Sequence, residues 1–483
     1  ATAVVVLFTT VSFKSDFFEI AKQIEIFTTL FKELNMNYVD EVNPGQLMDS
    51  AIEGMLADLD PYTKYWTEQE VEDARISNSG EYTGIGASVL TRNKTITILE
   101  AYKDYPADKA GLQAGDELVK IGDINIADFE EDAGDLLQGA PGTSIPITYK
   151  RQGKLQTTSL KREEIDIKAV PFYTLIDGSI GYVVLSKFNK KASSETKAAV
   201  EDLKAQGATS IILDLRGNPG GYLDMAIKMC DAILKKENLI VYTEGRNRVR
   251  QNIYSTKEGI LKNIPVIILI DEGSASASEI VAGALQDNDR GLIIGRRSFG
   301  KGLVQEQINL NDGSVIRLTT QRYYTPSGRC IQKSFQRKNL KNYVSDSTIY
   351  HTKKGRVVYG GGGITPDTII PRDSLLNYSK VNYLINKGWV NEFCILHSIK
   401  LKETITKELF ISNNDNNAIY THFLDFLKQK DVNIDMTIGT KELSYFKTLL
   451  KAMIGKNIWD NNVYFNILNK EDEFVQKAID SFQ

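Results

Sequence analysis

The segment that most constrains the fold is residues 266–287, where an apolar run passes through small residues into a helical pattern. The run Val266–Ile270 is uniformly apolar, which favours a strand buried on both faces. Residues 273–278 are glycine, serine and alanine only, and the helical pattern follows from Glu279. At such a strand-to-helix turn, free backbone N–H groups and the helix dipole stabilise developing negative charge. A serine here is therefore well placed to act as a nucleophile.

A lysine between two glycines follows this helical pattern. Gly300-Lys301-Gly302 stands after the apolar run 292–294, and glycine on both sides lets other atoms approach and bury the amine. Burial disfavours the ammonium form, so a lysine whose pKa falls from about 10.4 toward neutrality can serve as a general base. Lowering the pKa by roughly 3 costs about 4 kcal/mol, which the surrounding fold has to supply. The sequence therefore predicts a serine–lysine pair.

The composition is that of a soluble protein and does not favour a nucleic-acid-binding, disulfide-rich or metal-binding protein. A length of 483 residues predicts two to four domains, and 42% hydrophobic with 25% charged residues is typical of a soluble protein. The net charge of −4 gives no reason to expect a nucleic acid as partner. The three cysteines stand far apart, and Cys394 with His397 offers two ligands at most, so we predict neither a disulfide framework nor a metal site.

The histidines make a Ser-His-Asp triad the poorer option. His351, His397 and His422 are the only three, and all follow the serine–lysine segment without forming a recognisable motif. Triad members can be distant in sequence, so the triad is not excluded on this ground.

The chain starts with an uncharged segment, residues 1–13, which includes Val4-Val5-Val6-Leu7-Phe8. It is shorter than the roughly 20 apolar residues that span a bilayer. Two interpretations stay open. The segment is either the remnant of a signal or anchor, which implies membrane proximity, or a helix packed in a core or a dimer.

The patterns divide the chain into four regions. Residues 1–76 show helical periodicity, with Phe17, Ile20 and Ile24 at three- and four-residue steps and a second helix over 45–59. Residues 77–165 are β-rich, and residues 166–374 alternate strands with helices as an α/β domain does. Residues 375–483 are polar, rich in asparagine and lysine, mainly helical in pattern and without identifiable chemistry.

The β-rich region resembles a PDZ domain. We predict strands over 85–90, 95–98, 117–121 and 144–149 and helices over 107–112 and 129–137. The resemblance rests on Gly84-Ile85-Gly86 and on ADKAGLQAGDELVKIGDINI at 107–126. PDZ domains add an extended peptide to a sheet edge and cradle its terminal carboxylate in backbone N–H groups. The resemblance implies that Gly84, Ile85, Gly86 and Ala87 bind the peptide; the alternative is a small β domain that only packs.

A glycine-rich turn follows the buried strand predicted over 210–215. It reads Asp214-Leu215-Arg216-Gly217-Asn218-Pro219-Gly220-Gly221. Such turns cradle phosphates in some proteins, but no Gly-Lys-Ser/Thr follows and the Rossmann spacing is absent. Donation of backbone N–H groups to an oxyanion is the better functional interpretation. A plain tight turn explains one glycine more easily than three.

Together these segments resemble the C-terminal processing peptidases, also called tail-specific proteases, over residues 37–373. Besides the PDZ segment, the resemblance rests on YVDEV (38–42), LDPYTKYW (59–66), DLRGNPGG (214–221), SASASEIVAGALQD (274–287), GKGLVQ (300–305) and YGGGGITPD (359–367). It implies a multidomain α/β fold: a ClpP/crotonase-like α/β protease core, an inserted β-rich PDZ domain with two helices, and helical N- and C-terminal regions. Tyr62-Thr63 replaces a more usual His-Ser, and Gly86-Ala87 replaces a bulkier second loop position, which leaves the specificity of the peptide groove open.

The resemblance also assigns roles to single residues. Ser276 is the nucleophile, Lys301 the general base 25 residues later, and Gln305 the glutamine that positions the lysine. The oxyanion is held by the N–H of Ala277 and by one N–H from Gly220-Gly221. Asp287 matches an acidic position of the family motif, and we interpret it as structural. No cofactor or metal is implied.

The implied activity is that of a serine endopeptidase that recognises protein C-terminal tails through its PDZ domain and forms an acyl-enzyme. Its partners are proteins or peptides with free C-termini, its location is extracytoplasmic, in the periplasm or cell envelope, and membrane association and a homo-oligomer are further expectations. Two alternatives stay open. One is a catalytically silent scaffold of the same fold that binds peptides or hydrophobic ligands. The other is an esterase or amidase for small molecules, which would gain nothing from a tethered peptide-binding domain.

Overall fold

The computed structural model describes residues 2–68, 70–71, 81–92, 94–128, 134–166, 168–334, 348–371, 379–413, 415–432 and 434–482. The chain forms two compact units. The smaller contains the described residues of Ala1–Glu68 together with Gln305–Thr319, and the larger contains the remaining described residues.

The smaller unit begins with two helices, α1 (Thr2–Asn37) and α2 (Pro44–Ala57), which confirms the helical pattern of this region. Helix α2 starts at a proline because Asn43 Oδ1 accepts the N–H groups of Gly45 and Gln46. Among the residues described, no helix combines the length and the apolar character that crossing a bilayer requires.

Strands join distant parts of the chain in this unit. Strand β1 (Lys64–Trp66) pairs antiparallel with residues 315–317 at the start of β18 (Val315–Tyr324). Strand β18 also pairs with β17 (Leu303–Asn309), and the turn between the two strands contains Asn311-Asp312-Gly313.

The β-rich region consists of antiparallel strands, as the PDZ resemblance predicts. Its elements are β2 (Glu81–Gly84), β3 (Ala87–Arg92), β4 (Thr95–Ala101), α3 (Pro106–Lys109), β5 (Glu117–Ile121), β6 (Ile124–Asn125), β7 (Ser144–Arg151), β8 (Lys154–Lys161) and β9 (Glu163–Asp166). The strand order is β3-β4-β5-β7-β8, with β6 on β5 and a separate pair β2-β9. Of the helix predicted over 129–137, residues 129–133 lie outside the described residues, and Asp135–Leu137 forms a short 3-10 turn.

A central sheet organises the α/β region. Its strands are β10 (Phe172–Ile176), β11 (Ile180–Val184), β12 (Ser210–Asp214), β15 (Val266–Ile270), β16 (Leu292–Gly295) and β21 (Thr368–Ile369), in the order β10-β11-β12-β15-β16-β21. Strand β10 is antiparallel to β11, and the other neighbours are parallel. Strands β12 and β15 are buried throughout, which their apolar runs predict. Because they are parallel, the turns that leave them meet at one edge of the sheet.

Helices α4 (Ala192–Ala205), α5 (Leu223–Ile233) and α6 (Ala277–Asp287) share one apolar core with this sheet. A hairpin of β13 (Leu239–Gly245) and β14 (Arg248–Tyr254) was not predicted from the sequence; β13 pairs with residues 322–324 of β18. Strands β19 (Ile349–His351) and β20 (Val357–Tyr359) form a further pair.

The C-terminal region is helical, as its pattern predicts. Its helices are α7 (Ser379–Asn386), α8 (Trp389–Leu401), α9 (Lys407–Ser412), α10 (Asn417–Gln429), α11 (Thr440–Ile458), α12 (Asn461–Leu468) and α13 (Glu473–Asp480). Most of them share an apolar core that includes Phe393, Phe423 and Phe446. Helix α13 instead packs into a core with the central sheet.

Candidate active site

Ser276 lies at the turn between β15 and α6, immediately before the first residue of the helix. Its backbone has φ 54° and ψ −110°. A residue with a side chain loses roughly 1–2 kcal/mol in such a positive-φ conformation, so the surroundings must enforce it. Strain of this kind is concentrated at functional sites.

The carboxylate of Glu279, one turn into α6, organises the backbone around this serine. The side chain is fully buried. Its Oε2 accepts the N–H of Ser276 at 2.9 Å and the N–H of Lys301 at 2.8 Å. Its Oε1 accepts the Ser298 hydroxyl at 2.6 Å and the N–H of Gly300 at 2.7 Å. One carboxyl group therefore holds both the serine turn and the glycine–lysine loop.

These contacts bound the separation of the serine and the lysine. The two backbone nitrogens donate to the same oxygen, so they are no farther apart than the sum of the two distances, 5.7 Å. The structure thus brings Ser276 and Lys301 side by side, although 25 residues separate them along the chain.

Tyr323 joins the same two residues from their carbonyl side. Its hydroxyl hydrogen-bonds the carbonyl oxygen of Ser276 at 3.2 Å and also that of Lys301. Its own N–H donates to the carbonyl of Gly302 at 3.0 Å, and its side chain is 2% exposed. A buried ring on β18 therefore fixes the loop against the start of α6.

Both glycines beside Lys301 are required by close contacts. Gly300 has φ 92°, and a Cβ there would lie 2.8 Å from Lys333 Cβ and 3.0 Å from the carbonyl carbon of Gly362. A Cβ on Gly302 would lie 2.9 Å from the backbone nitrogen of Gln332. Neither position has room for a side chain, so the loop passes close to its neighbours as the Gly-Lys-Gly pattern predicts.

The glycine-rich turn lies against the serine. A Cβ on Gly220 would be 2.9 Å from Ser276 Cβ and 2.9 Å from the nitrogen of Ala277. The N–H of Gly220 donates to Asn218 Oδ1 at 2.9 Å. The N–H groups of Gly221 and Ala277 have no acceptor within the described part of the chain.

Gln305 lies in the smaller unit, at the start of its segment of β17. Its Nε2 donates to Thr319 Oγ1 at 3.3 Å, and Thr319 Oγ1 donates to Asp60 Oδ1 at 3.0 Å. Asp60 also accepts the hydroxyl of Thr63 at 2.8 Å. The LDPYT segment and Gln305 thus belong to one polar network.

Asp287 ends α6 in a buried ion pair. It pairs with Arg329, and both side chains are 0% exposed. Its second oxygen accepts the N–H of Ser327 at 2.9 Å. This pairing joins the helix to the turn after β18, a structural task.

The predicted peptide-binding residues run from the end of β2 into β3. Ile85 is 2% exposed, and Gly86 has φ 66° with Tyr105 Cβ only 2.4 Å from where its own Cβ would be. The carbonyls of Ile85 and Gly86 accept the N–H groups of Ala107 and Tyr102. Strand β3 is an edge strand: among the described strands only β4 pairs with it.

The sequence reasoning missed the roles of Glu279 and Tyr323. Glu279 has a local signal, because Ser276-x-x-Glu279 has the spacing of a capping box. Tyr323 has none, since its partners stand 22 and 47 residues away along the chain.

Four family descriptions match parts of the chain. "Peptidase family S41" matches residues 179–338, "PDZ domain" residues 97–151 and "Activating protease CtpB N-terminal domain" residues 10–70. A family of unknown function matches residues 380–460.

Curated relatives match over most of their length. A carboxy-terminal-processing protease from Bartonella bacilliformis is 42% identical over 319 residues, which is 64% of this chain and 73% of the relative. A probable CtpA-like serine protease from Staphylococcus epidermidis is 33% identical over 335 residues, 67% of this chain and 68% of the relative. Among solved structures, the photosystem II D1 C-terminal processing protease is 27% identical with a TM-score of 0.40, over 73% of this chain and 88% of that one.

Proposed function

Because this chain belongs to the carboxy-terminal-processing proteases of peptidase family S41, we propose that it cleaves peptide bonds with a Ser276–Lys301 dyad and selects substrates by their C-terminal tails. A serine peptidase with a PDZ domain acts on peptides or proteins, which gives the substrate class. The observation that carries the proposal is the shared Glu279 oxygen, which sets the backbones of Ser276 and Lys301 within 5.7 Å of each other.

The reaction follows from this arrangement. Neutral Lys301 takes the proton of the Ser276 hydroxyl, and the serine oxygen attacks the peptide carbonyl. The C–N bond then breaks, and the lysine ammonium gives its proton to the leaving amine. Water, deprotonated by the same lysine, hydrolyses the acyl-enzyme and restores the serine.

Two N–H groups are suited to the oxyanion of the tetrahedral intermediate. Ala277 N–H is the first of α6 and has the helix dipole behind it. On the glycine-rich turn, the N–H of Gly221 is the better donor, because that of Gly220 is already bonded to Asn218. We therefore assign the oxyanion to Ala277 and Gly221, with Gly220 supplying the close approach to the serine.

Tail capture is supported by the edge of the PDZ sheet. Strand β3 offers its free edge to an extended peptide, and the N–H groups of Ile85 and Gly86 have no acceptor among the residues described. A terminal carboxylate bound there would accept those N–H groups, and the peptide would continue antiparallel to β3.

The remaining assignments rest on the resemblance. Gln305 is the proposed positioning group for Lys301. An extracytoplasmic location and a homo-oligomer stay predictions.

The test is digestion of an unfolded model protein that ends in an apolar tail, prepared with a free and with an amidated C-terminus. We expect the free carboxylate to be cleaved at least tenfold faster at limiting substrate, because the amide cannot accept the PDZ N–H groups as an anion. Ser276→Ala should be inactive. Lys301→Arg should also be inactive, because guanidinium stays protonated.

Each half of the proposal has its own contrary outcome. Cleavage by Ser276→Ala would exclude Ser276 as the nucleophile. Equal cleavage of the two tails would exclude carboxylate recognition but leave the dyad intact. A catalytically silent scaffold predicts no reaction of Ser276 with a fluorophosphonate probe, whereas the dyad predicts labelling at Ser276 in mass mapping.

A further inference from the structure

Helix α13 forms part of the core on one face of the central sheet. In α13, Phe474, Val475 and Ala478 are at most 7% exposed. They pack in one cluster with Ile212 of β12 and Ile294 of β16. Part of a C-terminal region without recognisable motifs is therefore built into the protease fold.

The residue before this helix reaches the glycine-rich turn. Asp472 pairs with Arg216 at 2.7 Å, and Arg216 pairs with Asp214 at 2.6 Å. The guanidinium carbon of Arg216 also lies 4.8 Å from the ring centre of Phe474. Arg216, the third residue of the DLRGNPGG segment, is thus held between Asp214 at the end of β12 and Asp472 before α13.

The environment makes this ion pair stronger than one on an open surface. The side chains of Arg216 and Asp472 are 20% and 17% exposed, and charge-assisted hydrogen bonds gain strength as water is excluded. Burial alone would lower the pKa of Arg216, but Asp214 and Asp472 outweigh it and raise the pKa well above its usual value. Loss of Asp472 would leave guanidinium N–H groups in this site without an acceptor.

The turn after Arg216, residues 217–221, is short, and hydrogen bonds hold its successive residues in place. Gly217 N–H donates to Asp271 at 2.8 Å, and the Asn218 side chain donates to the Leu185 carbonyl at 2.7 Å. The Asn218 carbonyl accepts the N–H of Ala275, next to the serine. A displacement of Arg216 is therefore carried along a tightly bonded segment toward Gly221, where small misplacements of a donor lower the rate strongly.

We infer that Asp472 is a positioning residue for hydrolysis: through Arg216 it fixes the glycine-rich turn so that the Gly221 N–H is aimed at the oxyanion. The inference rests on the proposed function, because it requires that Ser276 be acylated beside this turn. By this inference the C-terminal region affects the rate of hydrolysis through Asp472, although Asp472 touches no reacting atom.

Asp472→Asn separates this role from helix stability. Asparagine still caps α13, because its oxygen can accept the N–H groups of Phe474 and Val475 that Asp472 accepts at 2.9 and 3.3 Å. It removes the charge and presents an NH2 group to the guanidinium. On a short fluorogenic peptide we expect kcat to fall about tenfold with KM within about twofold. Labelling of Ser276 by a fluorophosphonate should slow by the same factor, since its phosphoryl oxygen occupies the same site.

Two further variants make the result specific. Asp472→Glu keeps the charge but is a poor cap, so its Tm should lie below that of Asp472→Asn while its kcat lies above. Glu473→Gln removes a contact of 3.4 Å with Arg296 at an exposed neighbouring position and should behave as the wild type. A kcat order that follows the Tm order would overturn the inference.

The two proposals fail differently. If the wild-type chain is not labelled at Ser276, the proposed function fails. If the wild type is labelled and Asp472→Asn reacts as fast, only the positioning role of Asp472 fails.

Discussion

At the scale of single residues, Glu279 is the most unusual group of the site. Burial raises the pKa of its carboxyl from an ordinary 4.5 to about 7, although four hydrogen bonds from Ser298, Lys301, Ser276 and Gly300 oppose the shift. The ionised form can accept all four donors, whereas the protonated form loses one acceptor position. Burying the Glu279 carboxylate is therefore electrostatically unfavourable, but the buried carboxylate holds the nucleophile and the proposed base in one geometry.

This raised pKa predicts a pH-dependent local stability. Between pH 4.5 and 7 the unfolded chain releases the Glu279 proton while the folded chain keeps it, so stability falls as pH rises through this window. From pH 5 to 8 we expect the free energy of opening of α6 to drop by roughly 2–3 kcal/mol more than in Glu279→Gln. Hydrogen exchange of α6 peptides, corrected for intrinsic rates, measures this in a Ser276→Ala background.

The matched pair isolates the Glu279 carboxyl, because glutamine is similar in size and does not titrate. Parallel pH curves for the two chains would mean that Glu279 titrates at an ordinary pKa when folded, and the four-donor site would then hold a carboxylate throughout.

At the scale of elements, one hydroxyl links β18 to both halves of the site. Tyr323→Phe removes this hydroxyl and leaves the buried ring in place, so the core is kept while the carbonyls of Ser276 and Lys301 lose their common partner. We expect kcat to fall about tenfold, with a loss of stability of about 1 kcal/mol. Steady-state kinetics on a fluorogenic peptide and thermal unfolding measure the two effects.

Tyr324→Phe is the control for the same chemistry on the same strand. Its ring stacks on Tyr242 with the ring centres 4.8 Å apart. Successive side chains of a strand point to opposite faces, so Tyr324 does not share the face of Tyr323 and its kcat should stay within about twofold of wild type. Equal kinetics for Tyr323→Phe and Tyr324→Phe would show that the Tyr323 hydroxyl does not position the dyad.

Local patterns predicted strands that carry buried apolar residues, such as Leu118 and Ile121 in β5 and all of β15. Strands β5 and β15 have the predicted bounds, Glu117–Ile121 and Val266–Ile270. Strand β14, Arg248–Tyr254, escaped prediction because nearly every residue in it is exposed, so no alternation of polar and apolar residues marks it. Glu279 carried a local spacing, but Tyr323 depends on contacts that no short window of sequence contains.

At the scale of the whole molecule, the C-terminal region shows why its role was not predictable from sequence. Arg216 and Asp472 are 256 residues apart along the chain. The local sequence explains each of them without the other. Arg216 reads as a charged residue after a strand, and Asp472 reads as a helix N-cap. The two residues are in contact because α13 packs against the central sheet, beside the turn that contains Arg216.

This return makes the C-terminal region part of the fold rather than an appendage. A chain that ends at Pro371 would lose Phe474, Val475 and Ala478 and expose their partners in the central sheet, including Phe172, Ile212 and Ile294. We expect it to aggregate or unfold and to lose fluorophosphonate labelling of Ser276. In the full chain, Phe474→Ala should lower the free energy of unfolding by about 3–5 kcal/mol.

Leu409→Ala is the control, since this residue of the same region is 58% exposed and should change stability by less than about 0.5 kcal/mol. Thermal unfolding of the two single variants and the soluble yield of the shortened chain are the measurements. A soluble chain ending at Pro371 that is labelled as fast as the full one would mean that the sheet closes its own core. The cluster around Phe474 would then be a contact that the fold does not need. The ion pair between Asp472 and Arg216 would also be unnecessary for positioning the oxyanion donor.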